Sequence, residues 1–253
     1  MEKLLIENLE NNTEDKIAVV NKIIKFSNVD GPGNRIAIFF QGCNIDCAYC
    51  HNPETISIGS NEYTKNYSVT SLLEEVEKVK HFIKGVTVSG GECSLQYQFI
   101  SDFFKNIKLK YPNLTCFVDT NGTLDLSKDL FRDFIKYTDY FMLDVKAWKS
   151  DDHIKLTGIN NDNILKNLLF LKNSNKLFEV RTVIVPGVLD NETTVEKVSE
   201  IISDTEINYK LIKYRSIGVR ETKLVGINSP TTQYMENLKK LSLSFGIKNV
   251  VII

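Results

Sequence analysis

The 253-residue chain has no run of 18 or more apolar residues, so it offers no membrane-spanning helix. It lacks a signal-peptide core as well. Met1 to Lys22 mixes Glu, Asn and Asp among its apolar residues and carries no small-residue cleavage site, so the expected setting is the cytoplasm. Neither sign of charge dominates: 31 Lys and Arg face 32 Asp and Glu, for a net charge of −1. That balance excludes a dedicated nucleic-acid or anionic-membrane binder. There is no repeat of 20–50 residues and no low-complexity tract. With 42% apolar and 25% charged residues, the composition is that of an ordinary globular protein and excludes disorder of the whole chain. A chain of this length buries enough surface to fold without a disulfide or a metal. Cysteine is scarce, at 5 residues, and 3 of them crowd into one short segment. In a reducing compartment, clustered cysteines point to metal binding or catalysis rather than to bridges.

Short β-branched or aromatic runs alternate with amphipathic segments. The strand candidates are Ile36–Phe40, Val86–Val88, Thr115–Val118, Tyr140–Leu143, Glu179–Val185 and Asn208–Ile212, with a last apolar run at Val250–Ile253. Apolar residues from Val69 to Ile83 recur at helical spacing, with Ser71 and Glu74 in capping-box register, Glu74 and Lys78 as an i,i+4 pair, and Gly85 as the stop. Thr193 and Glu196 predict a second cap, and a final helix runs from about Thr232 to Phe245 before Gly246. Six strand–helix alternations imply parallel strands joined by right-handed crossovers. A complete eight-unit barrel typically needs about 250 residues of its own. The expected fold is therefore α/β, a partial (βα)6 TIM-like barrel in a single domain. Residues 1–24 form an N-terminal extension, 25–214 the barrel core, and 215–253 a C-terminal helix and strand. Chemistry in such folds lies at the C-terminal ends of the strands.

The first strand runs into Gln41-Gly42-Cys43-Asn44-Ile45-Asp46-Cys47-Ala48-Tyr49-Cys50-His51-Asn52, a C-x3-C-x2-C spacing. Three thiolates this close suit a soft metal centre. Zinc would want a fourth ligand, and His51 follows Cys50 without the usual spacer. A [4Fe–4S] cluster usually takes four cysteines, so three would leave one iron open to a ligand. Ser89-Gly90-Gly91-Glu92 follows the second strand as a plain βα turn or as a close-approach ligand loop. Asp119 and Asp144 end adjacent strands, as an acid–base pair or as two carboxylates joined by a cation. Arg181 points at a ligand or into a structural ion pair. Asp30 sits in a Gly-Pro-Gly segment that suits a tight turn.

The cysteine loop resembles the CxxxCxxC signature of the radical S-adenosylmethionine (radical SAM) superfamily, with Tyr49 at the aromatic position before the last cysteine. Asp30-Gly31-Pro32-Gly33-Asn34-Arg35, Phe39-Phe40-Gln41-Gly42-Cys43 and Tyr49-Cys50-His51-Asn52 are similar to the DGPGxR, FFQGC and YCHN segments of its glycyl radical enzyme activating branch. Ser89–Glu92, Asp119-Thr120-Asn121-Gly122, Met142-Leu143-Asp144-Val145-Lys146 and Arg181–Gly187 match the branch in order, so the similarity runs from about residue 24 to 213.

The resemblance implies that Cys43, Cys47 and Cys50 hold one [4Fe–4S] cluster. Its open iron chelates S-adenosylmethionine, and one electron from the reduced cluster cleaves the S–C5′ bond to give methionine and a 5′-deoxyadenosyl radical. Tyr49, Ser89, Gly90, Gly91, Glu92, Asp119, Asn121, Asp144, Lys146 and Arg181 are then cofactor residues. Glu92 and its backbone would receive the amino group, Lys146 the carboxylate, and Tyr49 would flank the adenine. Asp119, Thr120, Met142 and Asp144 would hold a monovalent cation, potassium or sodium. Asp30, Gly31 and Asn34 would meet the substrate, a glycine loop of a partner glycyl radical enzyme. A ferredoxin-like insert would need about eight further cysteines. Only Cys93 and Cys116 remain, so one cluster is expected, with an external flavodoxin or ferredoxin as electron donor. The absence of coiled-coil heptads leaves a monomer as the expected state.

Asn34, Cys93 and Arg215 depart from the family pattern, and the segment Tyr214 to Glu221 suggests a distinct subgroup. These departures keep a second reading open, a radical SAM enzyme acting on another peptide or a small molecule. A zinc-stabilised binding protein is the third.

Overall fold

All seven strand candidates form strands, and they lie side by side in chain order. The computed structural model describes residues 16–216, 220, 224 and 226–253. Its strands are β1 (Ile17–Ser27), β2 (Arg35–Phe40), β3 (Lys65–Ser68), β4 (Gly85–Gly90), β5 (Thr115–Thr120), β6 (Tyr140–Asp144), β7 (Leu177–Ile184), β8 (Asn208–Lys213) and β9 (Val250–Ile252). The helices are α1 (Val69–Glu77), α2 (Tyr97–Lys110), α3 (Arg132–Tyr137), α4 (Ser150–Thr157), α5 (Asp162–Asn173), α6 (Asn191–Ile202) and α7 (Thr232–Ser244). One sheet holds every strand in the order β3-β1-β2-β4-β5-β6-β7-β8-β9. Each neighbouring pair from β2 to β9 is parallel. The strands β2 and β4 to β8 are the six parallel strands of the expected partial TIM-like barrel. The sheet ends at β3 and β9, which do not pair with each other, so the barrel stays open.

Two strands were not foreseen. β1 pairs antiparallel with β2 and with β3, and so extends the sheet on its open side. It spans the boundary expected between extension and core at residues 24 and 25; residues 1–15 of that extension lie outside the described residues. β1 shows no clean alternation because its register with β2 shifts twice, between Val20 and Lys22 and between Ile24 and Ser27. Each shift turns the following side chains to the other face. β3, Lys-Asn-Tyr-Ser, is a polar edge strand and carries no hydrophobic signal.

The helix boundaries correct the capping expectations. α1 is capped by Ser68, whose hydroxyl accepts from Ser71 N at 3.2 Å, rather than by Ser71. It ends at Glu77, and Gly85 begins β4 instead of stopping the helix. Lys78 pairs with Glu75 rather than with Glu74. α6 is capped by Asp190, which accepts from Thr193 N at 3.0 Å and also meets Lys149 Nζ at 2.6 Å. These contacts, the Lys149 bond first, hold the Asp190 carboxyl below its usual range. A depressed folded-state pKa adds stability above the unfolded carboxylate value of about 3.9. That stability is lost as pH falls through the folded value. Asp190→Ala is therefore expected to cost about 1 kcal/mol at pH 7, a fall in Tm of ~2–4 °C. The gap between parent and variant should close in acid, which thermal denaturation at pH 7 and pH 3 checks.

The two faces of the sheet differ in chemistry. Ile36, Ile38, Phe40, Val86, Val88, Cys116, Val118, Phe141, Leu143, Val180, Tyr209 and Leu211 join the helix residues Leu72, Phe103, Phe104, Leu168, Val198 and Leu238 in one buried cluster. Each such large side chain contributes roughly 1.5–3 kcal/mol by leaving water. The alternate positions, Arg35, Thr87, Ser89, Asp119, Asp144, Glu179, Arg181 and Lys210, fill the barrel interior and are bonded largely to one another. A closed apolar barrel core would not be built this way. The interior is occupied by charged and polar side chains.

Candidate functional site

The cysteine loop leaves the C-terminal end of β2 and is folded back by its own neighbours. The Gln41 side chain donates to the carbonyls of Glu54 (2.9 Å) and Ser57 (2.8 Å). Gly42 N and Cys43 N donate to Thr55 O and Ile56 O. Further along, Asp46 N and Ala48 N bond Thr157 O and Leu156 O, which fastens the loop to α4. Ile45, Cys47, Ala48 and Tyr49 bury against Leu156, Val185, Leu189 and Tyr214 in a second apolar cluster.

All five cysteines carry free thiols. Burial pushes the Cys43 thiol up to about 12 and raises those of Cys47 and Cys50, while Lys146 pulls all three the other way. Ionising them inside the loop therefore needs a cationic centre, which a bound metal group supplies.

The Ser89–Glu92 turn, at the end of β4, packs directly on this loop. Gly91 N donates to Phe40 O and Glu92 N to Gly42 O at 2.7 Å. The Glu92 side chain is held by both neighbouring turns. It is 1% exposed, and both carboxylate oxygens are taken. Oε1 accepts from Ser94 N and Thr120 Oγ1, and Oε2 accepts from Asn121 N at 2.6 Å. Burial raises its pKa against these bonds. Glu92 thus ties the β4 turn to the β5 turn, with a single bond on Oε2 and backbone carbonyls of the turn beside it. Glu92→Gln puts an amide NH2 against a backbone donor. The expected cost is about 1–3 kcal/mol, read as a lower Tm together with weaker cofactor binding.

Asn121 is drawn to the cysteines. Its Nδ2 reaches Cys43 Sγ at 3.8 Å and Asn44 Oδ1 at 3.2 Å. Inside the barrel, Asp119 Oδ2 accepts from Ser89 Oγ (3.0 Å) and Arg181 Nη1 (2.9 Å). Burial lifts its carboxyl to about 6, with Arg181 opposing. Asp144 Oδ2 meets Lys146 Nζ at 2.6 Å, and that ammonium lies 5.6 Å from the centre of the Tyr49 ring. Burial pulls the Lys146 pKa down, but Asp144, Tyr49 and Cys47 prevail and hold it well above normal. The buried Tyr49 hydroxyl makes no well-formed hydrogen bond. Asp119 and Asp144 thus each carry a protein cation. Met142 Sδ sits against Arg181 Nη2 at 3.0 Å, and Thr120 Oγ1 turns to Glu92.

Three predicted site residues lie elsewhere. Asp30, Gly31 and Asn34 precede β2, at the N-terminal end of the parallel strands. One strand of six residues separates them from the cysteines, about 17 Å at 3.3 Å per residue. They border the opposite mouth of the barrel from the one the chemistry uses. Asn34 Nδ2 is spent on Phe82 O at 2.8 Å, and Asp30 O accepts from Thr87 Oγ1 at 2.6 Å. A cavity of about 770 Å³ opens at this same end, lined in part by Pro32, Phe117, Tyr140 and Phe178.

Sequence reasoning missed Arg220, whose guanidinium bonds Asp46 and, at 3.0 Å, Cys47 O. Its signal was its place in the departing segment from Tyr214 to Glu221, of which residues 217–219 and 221 lie outside the described residues. Arg215 presents its carbonyl to His51 Nε2 at 3.0 Å while its side chain is exposed. Cys93 is buried, as expected, and its thiol faces Asp119 O at 3.4 Å.

The model of the radical SAM superfamily matches residues 37–198. The pyruvate formate-lyase 1-activating enzyme of Escherichia coli K12 is 33% identical over 248 residues, covering 92% of this chain and 99% of that protein. The pyruvate formate-lyase-activating enzyme of Staphylococcus epidermidis is 35% identical over 217 residues, covering 82% of this chain and 85% of its own length. The solved structure of QueE from Escherichia coli shares the fold, with a TM-score of 0.59 at 12% identity over 94% of each chain. The motifs therefore sit, in order and at strand ends, on the scaffold their resemblance implied, and the chain belongs to the radical SAM superfamily, in its glycyl radical enzyme activating branch.

Proposed function

We propose that this enzyme abstracts a hydrogen from a glycine of a partner glycyl radical enzyme. The observation that carries the reading is the interlock of the cysteine loop with the Ser89–Glu92 turn, above an interior lined by Asp119, Asp144 and Lys146. It is joined by the similarity to pyruvate formate-lyase-activating enzymes along nearly the whole chain.

The family carries a [4Fe–4S] cluster and S-adenosylmethionine, which together supply one-electron cleavage of the cofactor and the hydrogen-abstracting species. The residues present fit that pair. Cys43, Cys47 and Cys50 would hold the cluster, and Asn121 would donate to the Cys43 sulfur. Lys146 would take the cofactor carboxylate as a charge-assisted pair. Carbonyls of the Gly90–Gly91 turn would accept from the amino group. Tyr49 would flank the adenine, its unpaired hydroxyl ready for a partner. The cluster loop's apolar packing buries Cys47 and partly covers Cys43 and Cys50. A glycine loop of the partner would approach the cofactor at the C-terminal ends of the strands, where the cysteine loop and the Ser89–Glu92 turn meet.

Potassium or sodium at Asp119, Thr120, Met142 and Asp144 requires Arg181 and Lys146 to turn aside. Cofactor affinity measured with and without each ion decides that part, and no response to either would remove it. Flavodoxin or ferredoxin is the proposed electron donor, the cytoplasm the proposed setting and a monomer the proposed state. No described helix is long and apolar enough to cross a membrane.

The test is anaerobic reconstitution with iron and sulfide, followed by S-adenosylmethionine, reductant and a candidate glycyl radical enzyme. The reading expects a glycyl radical by electron paramagnetic resonance, matched one to one by 5′-deoxyadenosine. If 5′-deoxyadenosine forms while no partner acquires a radical, the second reading, another radical SAM substrate, takes its place. Asn34 and the segment from Tyr214 to Glu221, which depart from the branch's pattern, support that second reading.

A further inference from the structure

The parallel pairing of β7 with β8 puts Glu179, Arg181 and Lys210 side by side inside the barrel, with Arg181 directly opposite Lys210. Two like charges on neighbouring strands would repel. Glu179 resolves this. Its Oε1 accepts from Arg181 Nε at 2.6 Å and from Lys210 Nζ at 2.8 Å. Arg181 then spends its other nitrogens forward, Nη1 on Asp119 Oδ2 at 2.9 Å and Nη2 on Met142 Sδ at 3.0 Å. Asp119 Oδ2 also holds Ser89 Oγ, the first residue of the cofactor turn. The result is one row of alternating charge, Lys210, Glu179, Arg181, Asp119, ending on Ser89. The side chains are 15%, 7%, 11% and 16% exposed in that order. A row this deeply buried is a poor device for stability, since apolar residues of the same volume often do as well or better. It is a good device for orientation. The fork of a guanidinium fixes direction as well as charge.

We propose that Glu179, backed by Lys210, is a positioning residue that holds the Arg181 guanidinium against Asp119 and so sets the orientation of Asp119 and Ser89 beneath the cofactor turn. The proposal rests on the radical SAM reading above for its functional consequence. Its geometric part stands apart from that reading.

Glu179→Gln keeps the shape and removes the charge. Two readouts follow. In the protein before reconstitution, the Arg181 Nε–Hε resonance, sharp and slow to exchange in the parent, should broaden and exchange faster. In the reconstituted enzyme, the Kd for S-adenosylmethionine should rise roughly tenfold, since a hydrogen bond to a charged group is at stake. Iron content should not change. In an Arg181→Met background the same substitution should add nothing, because Glu179 acts through Arg181. Should Glu179→Gln fail to fold, with one unbalanced cation left inside, Glu179→Gln/Lys210→Met restores neutrality and serves in its place. The pair variant should still show a loose Arg181 and a raised Kd. An unmoved Arg181 resonance, effects of Glu179→Gln and Arg181→Met that multiply, or a normal Kd in the pair variant each overturns the proposal. A parent that binds no S-adenosylmethionine when fully loaded with iron would instead overturn the functional reading, while the resonance still decides the positioning.

Discussion

Cys47→Ala protein is expected to fold and to be inert. The thiol is buried in the small cluster with Tyr49, Val185 and Tyr214, and alanine fills most of its space. Truncation there should cost about 1 kcal/mol or less in stability, since little more than one heavy atom is removed. The chemical loss is of another order. Substitutions behind a metal ligand typically cost about 10–100-fold. Removing a ligand, where only three exist, should exceed that, so 5′-deoxyadenosine formation should fall by more than ~1000-fold, with iron and sulfide content falling alongside. Cys43→Ala and Cys50→Ala should behave alike. Asn121→Ala, which removes only the donor to Cys43 Sγ, should fall within the 10–100-fold range. Cys93→Ala is the control, since that thiol is buried away from the triplet; it should keep its iron. Retention of a full cluster by Cys47→Ala, or a parent that loads zinc without sulfide, would defeat the assignment.

Gly91→Ala should be among the most damaging single methyl additions in the site. A Cβ there would stand 2.3 Å from Gly42 O and 2.6 Å from Thr55 O. Both are backbone atoms of the cysteine loop and cannot swing away as a side-chain tip can. The backbone of the two loops must separate, or the turn must tilt. Overpacking of this kind costs about 1–3 kcal/mol, which for a chain of this size lowers Tm by roughly 2–12 °C. The loss should not stop at stability. The same separation moves the cysteines relative to the turn, so cofactor affinity should drop even at temperatures where the variant is folded. Gly85→Ala makes the comparison informative. Its Cβ would lie 2.2 Å from Thr115 O at the far end of β4. It should lower Tm comparably and spare cofactor affinity in the folded protein. Equal effects of both variants on affinity would mean that the interlock at Gly91 has no special role.

Much of the fold was legible because parallel strands buried on one face announce themselves. Ile36–Phe40, Tyr140–Leu143 and Asn208–Ile212 are compact apolar or β-branched runs between amphipathic helices, and each became a strand within two residues of its expected bounds. β1 was not legible, because two register shifts scramble its alternation. Nor was β3, an edge strand whose stability comes from its partner rather than from its own residues. The caps at Ser68 and Asp190 were misplaced by three residues each, because Ser71 and Thr193 also satisfy the capping spacing and only backbone geometry separates a cap from a first-turn residue.

The sequence by itself determined the family, the cysteine spacing and the order of the motifs along the strands. Those features are local: a spacing, a turn, a residue type at a strand end. It could not determine which partner each buried charge would find. Nothing in the Ser-Gly-Gly-Glu run says that Thr120 and Asn121 will arrive from the next strand and bond both oxygens of Glu92. Asp30 and Asn34 read as neighbours of the chemistry until β2 places them a strand's length away. Glu179 carries no signal at all until β8 brings Lys210 beside Arg181. Pairing in a low-dielectric interior depends on distances of a few ångströms between residues far apart in the chain, and only the tertiary fold sets those distances.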